Sequence, residues 1–550
     1  MKRTTLAEFN EQTYDILIIG GGITGAAAVR DAALRGLKVA LVEKNDFAWG
    51  TSSRSTKLLH GGLRYLERFE FGMVREACRE RELMLELAPH LAHPRPFLYL
   101  QYKGYPEGML KLRAGLTVYD MFSGNPGERR HKMLNRDKLL AIEPHLNPDG
   151  LKGCGYYYDF LTDDARLTIE TIKGGCEAGA HVANYVEATG FVMENGRVAG
   201  AQVRDQITGE EGVIKALQVI NCGGPWVDKV RFLEEGVSGR RLRPTKGVHI
   251  VLSKKDFPLN HAVFLRAPSD NRVVWPIPAL DSELVYIGTT DTDYDGSLDD
   301  VVATEEDIDY LLEVANHTIP GCNLGREHVI GTWAGLRPLI SPEDARDASA
   351  VSREHEIFTS PNGLLTIGGG KLTTARVMGQ QVVDEAAKLL SKNFGMNDIR
   401  VSNSKHVPVS GGDAQQIKAA QQKLANLDLE TAVPERLVGL YGGNAVKIAD
   451  MIKNDPEAAT SMGGNNVIAA EVQYAVQEEV AQTVTDFFTR RASLFYWLRD
   501  GGLDIVEPVS LEMAQLLAWD ESTRTQQIND YREWVAENRF EPTFSATTKI

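Results

Sequence analysis

Residues 14–25 read YDILIIGGGITG, a strand-forming apolar run that breaks into glycines and continues as helix-forming sequence. Gly20, Gly22 and Gly25 have the GxGxxG spacing of a dinucleotide-binding turn. In such a turn the first glycine permits the tight reversal from strand to helix, the second lets backbone approach a pyrophosphate, and the third allows helix and strand to pack closely. The phosphates then meet unpaired N–H groups at a helix N-terminus. A second apolar run, VALVE at residues 39–43, ends in Glu43 about 20 residues past the glycines, where a carboxylate accepts hydrogen bonds from a ribose. Glycine-rich turns also serve ordinary loops, so the nucleotide reading rests on the order of strand, glycines, helix, strand and terminal carboxylate.

A chain of 550 residues can bury large cores, and ordinary domain sizes divide it into about two to four domains. Its formal charge of -15 argues against broad nucleic-acid binding, which needs a basic face, so anionic ligands must be held by local clusters. The five cysteines, Cys78, Cys154, Cys176, Cys222 and Cys322, show neither CxxC pairing nor metal-type spacing, which fits reduced thiols in a cytoplasmic setting and no metal site. MKRTTLAEFNEQ lacks the apolar core of a signal peptide, and no later run approaches the ~20 apolar residues of a membrane span.

The opening strand, helix and strand begin a parallel α/β layer. A helix over 165–178, the strand-like VEATGFVM and LQVINCGG at 217–224 read as returns to that layer, and residues 364–390 repeat the strand–glycine–helix pattern. HIVL, NRVVWPIP and ELVYIGTT, between 249 and 292, predict an antiparallel sheet carrying a substrate pocket. The expected architecture is thus a discontinuous Rossmann-like domain over roughly 14–90, 150–245 and 330–390, and an interleaved antiparallel β-sheet substrate domain over 91–149 and 246–329. A boundary near Asn403 then opens an all-α domain, 403–550, in which Ser510 is expected to cap a long last helix.

TSSRSTKLLHGGLRYLE at 51–67 combines small hydroxyl residues, a double glycine and basic side chains. Ser52 and Ser53 suit hydrogen bonds to a pyrophosphate, Gly61 and Gly62 let backbone lie against a flat ring, and Arg64 and Tyr65 project toward whatever reacts there. A capped surface helix is the plainer alternative. GGGITG, TSSRSTKLLHGGLRYLE, AGLRPLI and GGGKLTTAR together resemble the FAD-dependent glycerol-3-phosphate dehydrogenase family over most of residues 14–390, and DFFTRR at 486–491 is similar to part of that family's C-terminal domain.

The resemblance implies that the Rossmann-like domain binds FAD and that the chain oxidises sn-glycerol 3-phosphate to dihydroxyacetone phosphate. Hydride would go to the flavin and electrons on to a membrane quinone, from a peripheral place on the cytoplasmic face. By the same match Arg64, Arg337 in AGLRPL and Arg353 in VSREHE bind substrate, as bidentate guanidinium forks suit phosphate. Lys371 in GGGKLTT lies at a helix start beside flavin and substrate hydroxyl, where a cation favours an alkoxide and stabilises charge on the reduced ring. Gly369, Gly370 and Thr373 join the cofactor-binding set with Gly224, in a turn where this chain has Cys222 and Gly223 in place of the family's usual Ala-Thr. A small buried thiol is the simpler reading of Cys222.

His249, in KGVHIVL, is the preferred general base, because an imidazole accepts a hydroxyl proton at neutral pH as hydride leaves. His60 is its competitor, placed by Gly61 for flavin contact. MLKLRAGLTVYDMF at 109–122 is the candidate membrane contact: Leu112, Leu116 and Tyr119 share a face while Lys111 and Arg113 can meet anionic head groups, although a core-packing helix fits the same pattern. The rival activities are an oxygen-using glycerol-3-phosphate oxidase, whose usual mid-chain insertion is not evident, and an amine or amino-acid oxidase. A homodimer through the terminal helices is allowed by their pattern and not specified by it.

Overall fold

The computed structural model describes residues 1–124, 127–280, 282–340, 355–463 and 466–539. The fold is α/β: two sheets carry the chain as far as Gly369 and helices form the C-terminal part. In the first sheet the parallel strands Leu365–Gly369, Glu211–Asn221, Tyr14–Ile19, Val39–Val42 and His181–Ala183 lie side by side in that order. Ile16 and Ile18 pack with the helices Ile23–Leu34 and Ala375–Phe394, while Leu17 and Ile19 pack with Leu6, Phe9 and Val186 on the other face. Burial on both faces is why this strand is apolar throughout from Ile16 to Ile19.

Ile19 is paired with Val42 on one side and Asn221 on the other, so Gly20, Glu43 and Cys222 leave the sheet at one edge. The strand Leu365–Gly369 delivers Gly370 and Lys371 to the same edge. Ligands of open parallel sheets bind at these carboxyl ends.

Among the described residues the second sheet has ten strands, and its centre runs Leu242–Ser253, Leu284–Gly288, Val273–Pro278, Ala262–Arg266, His93–Tyr102, Leu151–Leu161. The antiparallel pairing expected between 249 and 292 is present, with His249 opposite Gly288 and Trp275 opposite Gly288 on its other side. Leu151–Leu161 and Gly331–Ile340, grouped from sequence with the nucleotide domain, both lie in this second sheet. Likewise VEATGFVM does not return to the parallel layer: Val186–Glu194 forms an antiparallel hairpin with Arg197–Asp205. Leu58–Leu59 pairs with Leu161 and Phe160, and this short strand carries the chain from the first sheet's cleft into the second sheet just before His60.

Beyond residue 403 the described chain is helical, from Ala414–Leu424 to Glu521–Asn538. Ser510 is no cap. It lies inside the helix Val506–Leu517 and its hydroxyl donates to the Glu507 carbonyl at 2.9 Å; Ala518 turns left-handed at φ 54°, and Asp520 caps the last helix by accepting from Thr523 N at 2.7 Å. The segment 109–122 is a helix whose Leu112, Leu116 and Tyr119 are buried in the core, so that face is not available to a membrane. Among the described residues no helix is long and apolar enough to cross a membrane.

The DFFTRR motif ties these helices to the first sheet. Arg491 grips Asp46 through Nη1 at 2.7 Å and Nη2 at 2.9 Å, Arg490 Nε reaches it at 2.6 Å, and Asn184 Nδ2 donates at 2.9 Å, all out of water. Burial alone would lift the Asp46 carboxyl, but Arg491 and Arg490 more than cancel that and hold it down at about 2. Because this is below the ordinary aspartate value of 3.8, the stabilisation is complete above that pH and is lost as pH falls through about 2. Asp46→Asn should cost about 3–5 kcal/mol in urea unfolding at neutral pH, since it removes the carboxylate that two buried guanidiniums share and leaves Arg490 with Asp486 and Arg491 with the Glu479 carbonyl, and the variant should lose less further stability in acid than wild type.

Candidate active site

Two cavities lie to either side of the contact between Lys371 and Tyr65. The first is a cleft of about 960 Å3, open to solvent, at the carboxyl edge of the parallel sheet; Gly20, Gly22, Glu43, Ser52, Gly224, Gly369, Gly370 and Lys371 all line it. Gly20 has φ +113° and a Cβ there would meet the Cys222 carbonyl oxygen at 2.6 Å, while a Cβ on Gly25 would meet the Gly20 oxygen at 1.8 Å. Both positions therefore require glycine for the turn and for helix packing. Glu43 braces that turn, accepting from Gly21 N at 2.7 Å and Asn45 N at 2.9 Å, and burial pushes its carboxyl up.

Ser52 Oγ accepts from Ile23 N at 2.9 Å, capping the helix that faces the cleft. Ser53 is buried, lies outside the cleft lining, and its hydroxyl donates to the Gly50 carbonyl at 3.5 Å. Trp49, Thr51, Trp226 and Pro338 complete the walls. Backbone N–H groups at a helix start, close glycine backbone and Glu43 in the same lining fit a dinucleotide.

The second cavity adjoins the first. It is lined by His60, Gly62, Arg64, Tyr65 and Arg337, all expected from sequence, and by Arg68, Arg272, Trp275, Thr289, Asp291 and Asp159, which were not. Lys371 bridges the two spaces: it lines the cleft, and its Nζ lies 3.7 Å from the centre of the Tyr65 ring and 2.6 Å from Met73 Sδ. Arg337 Nη1 donates to Asp291 Oδ1 at 3.2 Å and Nη2 to Thr289 Oγ1 and, at 3.3 Å, to the Thr290 carbonyl. Arg353 lies outside the described residues.

The double glycine is held from beneath. Gly61 N donates to Tyr119 Oη at 2.7 Å, Tyr119 Oη donates to Asp159 Oδ1 at 2.6 Å, and Arg81 pairs with the same oxygen at 2.6 Å. A Cβ at Gly61 would meet Cys78 Sγ at 2.4 Å, and Gly62 turns left-handed at φ +76°. His60 N donates to Thr373 Oγ1 at 3.0 Å, so the HGG turn and the GGKLTT turn are directly joined.

His249 lines neither cavity. It is 1 % exposed, stacks on Trp333 with ring centres 4.6 Å apart, and its Nε2 meets Thr56 Oγ1 at 3.1 Å. Burial, then the nearby Arg337 and Lys57, push it well below the ordinary histidine value, so it stays neutral. No cluster of ligating side chains suited to a metal occurs among the described residues.

A dinucleotide cleft beside a cation-lined cavity is the layout of a flavin-dependent oxidoreductase, and the family model for FAD dependent oxidoreductases matches residues 15–385. A second model, the C-terminal domain of alpha-glycerophosphate oxidase, matches residues 402–524. The aerobic glycerol-3-phosphate dehydrogenase of Staphylococcus aureus strain USA300 is 40 % identical over 530 residues, 95 % of this chain and 93 % of that protein. A crystal structure of the glycerol-3-phosphate dehydrogenase from Bacillus halodurans complexed with FAD superposes with a TM-score of 0.81 at 34 % identity, covering 97 % of this chain and 96 % of that one. The FAD-bound L-alpha-glycerophosphate oxidase from Mycoplasma pneumoniae shares the fold, with a TM-score of 0.53 at 19 % identity over 69 % of this chain and 95 % of its own. The chain belongs to the FAD-dependent glycerol-3-phosphate dehydrogenase family, and its cofactor is FAD.

Gly25→Ala should force the helix Ile23–Leu34 off the turn and abolish FAD retention, read as flavin released per mole of purified protein. Gly72→Ala, at a position with open space around its Cβ, should keep its full complement.

Proposed function

We propose that this protein oxidises sn-glycerol 3-phosphate to dihydroxyacetone phosphate and passes the electrons to a membrane quinone. The observation that carries the reading is the cavity lined by Arg64, Arg68, Arg272 and Arg337, which reaches the flavin cleft through the contact of Tyr65 with Lys371. An acidic chain that gathers four arginines in one recess has built a site for an anion. Guanidinium forks at Arg64 and Arg337 bind the phosphate, which sets the carbinol carbon against the cofactor. Bound FAD supplies the hydride acceptor.

As hydride leaves C2, the hydroxyl proton must move to a base. His60 lines the cavity and is the group that takes it, in preference to His249, whose ring is stacked on Trp333. Lys371, held at the start of the GGKLTT turn, lowers the cost of negative charge on the substrate oxygen before the proton is fully transferred. His249 then acts behind the site, supporting Trp333 and Thr56.

Access to a bilayer is provided outside the buried face of the helix Gly108–Phe122. Phe69, 77 % exposed, and Leu110, 82 % exposed, belong to neighbouring elements beside the cavity, and Lys111 and Arg113 point to solvent on the same helix. A peripheral contact through Phe69 and Leu110 combines apolar insertion with attraction to anionic head groups. Phe69→Ser combined with Leu110→Ser should reduce co-flotation with anionic vesicles while leaving flavin reduction by substrate intact; undiminished flotation removes this surface.

Anaerobic addition of glycerol 3-phosphate should bleach the oxidised flavin, whereas glycerol and amino acids should not. Arg337→Ala should weaken substrate capture on the order of 10–100-fold, the loss of a charged hydrogen-bonding partner. Lys371→Ala should instead slow flavin reduction on the order of 100-fold at saturating substrate. Unchanged kinetics in both variants would contradict the pocket, and peroxide released in stoichiometric amounts during aerobic turnover would replace the quinone by oxygen.

A further inference from the structure

Asp291 lines the same cavity as the four arginines, and its carboxylate meets the arginine that the proposed function gives to the phosphate. Asp291 Oδ1 accepts from Arg337 Nη1 at 3.2 Å, and the Asp291 main-chain carbonyl accepts from Arg272 Nη1 at 2.6 Å. The Asp291 and Arg337 side chains keep 30 % and 24 % of their surface exposed, so both face the space that a ligand enters. The guanidinium is steadied on its other side by Thr289 and the Thr290 carbonyl, and it lies over Gly247, where a Cβ would meet Nη2 at 2.5 Å.

A phosphate therefore approaches an arginine that already holds a carboxylate. To an anion with no proton to donate, that carboxylate is a like charge at close range, in surroundings that screen it less than bulk water does. To a phosphate ester of a polyol it is an acceptor, because a hydroxyl of the ligand can donate a charge-assisted hydrogen bond to it. Selectivity then comes from a built-in repulsion as well as from attraction.

We propose that Asp291 is a specificity-determining residue, which makes the cavity reject bare oxyanions and admit phosphate esters that carry hydroxyl donors. The inference rests on reading the cavity as the glycerol 3-phosphate site. Reduction of the wild-type flavin by glycerol 3-phosphate tests that reading separately, so the two can fail independently.

The test uses sulfate, a dianion without a proton at neutral pH, as a competitive inhibitor of the FAD-loaded enzyme. In Asp291→Asn, which keeps the shape and an acceptor oxygen but removes the charge, the sulfate inhibition constant should fall by about tenfold or more while KM for glycerol 3-phosphate does not fall with it. Asp291→Ala, which removes the acceptor as well, should tighten sulfate in the same way while KM for glycerol 3-phosphate rises. An unchanged sulfate constant, or sulfate and substrate tightening by equal factors, overturns the proposal. The wild-type enzyme gives a second measurement that needs no variant: ethyl phosphate, an ester without hydroxyls, should inhibit at least about tenfold more weakly than dihydroxyacetone phosphate, and equal inhibition overturns the proposal.

Discussion

Asp46 carries the tie on which the arrangement depends. It follows closely on Glu43, in the connection whose Lys44, Trp49 and Thr51 form a wall of the dinucleotide cleft, and it is gripped by Arg490 and Arg491 from the C-terminal helices. A carboxylate taken out of water is costly unless its charge and its lone pairs are all answered, and here two guanidiniums and the Asn184 amide answer them. The arginines cannot withdraw without leaving the Asp46 charge buried and unmatched. The helical region is thereby part of the cleft's wall in an energetic sense, although it lends the cleft no lining residue.

A second buried network repeats the device one helix away. Arg166, at the start of the helix Asp164–Glu177, pairs with Glu170 and reaches Glu479 at 2.5 Å, and Lys173 meets the same Glu479 at 2.9 Å. Burial would raise the Glu479 carboxyl, but Arg166 and Lys173 hold it down, so it remains charged among cations. Under the HGG turn, Arg81, Asp159 and Tyr119 do for Gly61 what these networks do for the domains. Each places ionised groups where misplacement is expensive, and those at Asp46 and Asp159 fix segments that border the two cavities.

What was legible in the sequence follows from how far apart the cooperating residues lie. The nucleotide turn was legible because Gly20, Gly22, Gly25 and Glu43 lie within one strand–helix–strand unit and their spacing shows in the sequence, although Gly20 is also pressed against the distant Cys222 carbonyl. Arg64, Tyr65 and Lys371 were legible as members of contiguous motifs. Arg272, Thr289 and Asp291 were not, since they meet Arg337 only through the registers of strands far apart in the chain. Ser53 and His249 show the other limit: residue type suited the chemistry, but the direction of each side chain was decided by packing. The same cause moved Leu151–Leu161 and Gly331–Ile340 into the second sheet, because an apolar strand does not declare its partner.

The electrostatics of the chain explain why its cavity cations are tethered. With a formal charge of -15 the molecule repels an anion at long range, so under the proposed function capture depends on the near field of the recess. Loose arginines would give up that near field to solvent and would spend binding energy on being ordered. Here Arg337 is clasped by residues 289–291 and Arg272 is anchored on the Asp291 carbonyl, so the charge is set in place before the ligand arrives. Preorganisation of this kind serves catalysis as well as binding, because the cations and the flavin cleft are fixed to one another through Tyr65 and Lys371. The acidic surface and the basic recess are thus parts of one arrangement: net repulsion at a distance, and a rigid, local grip inside the recess.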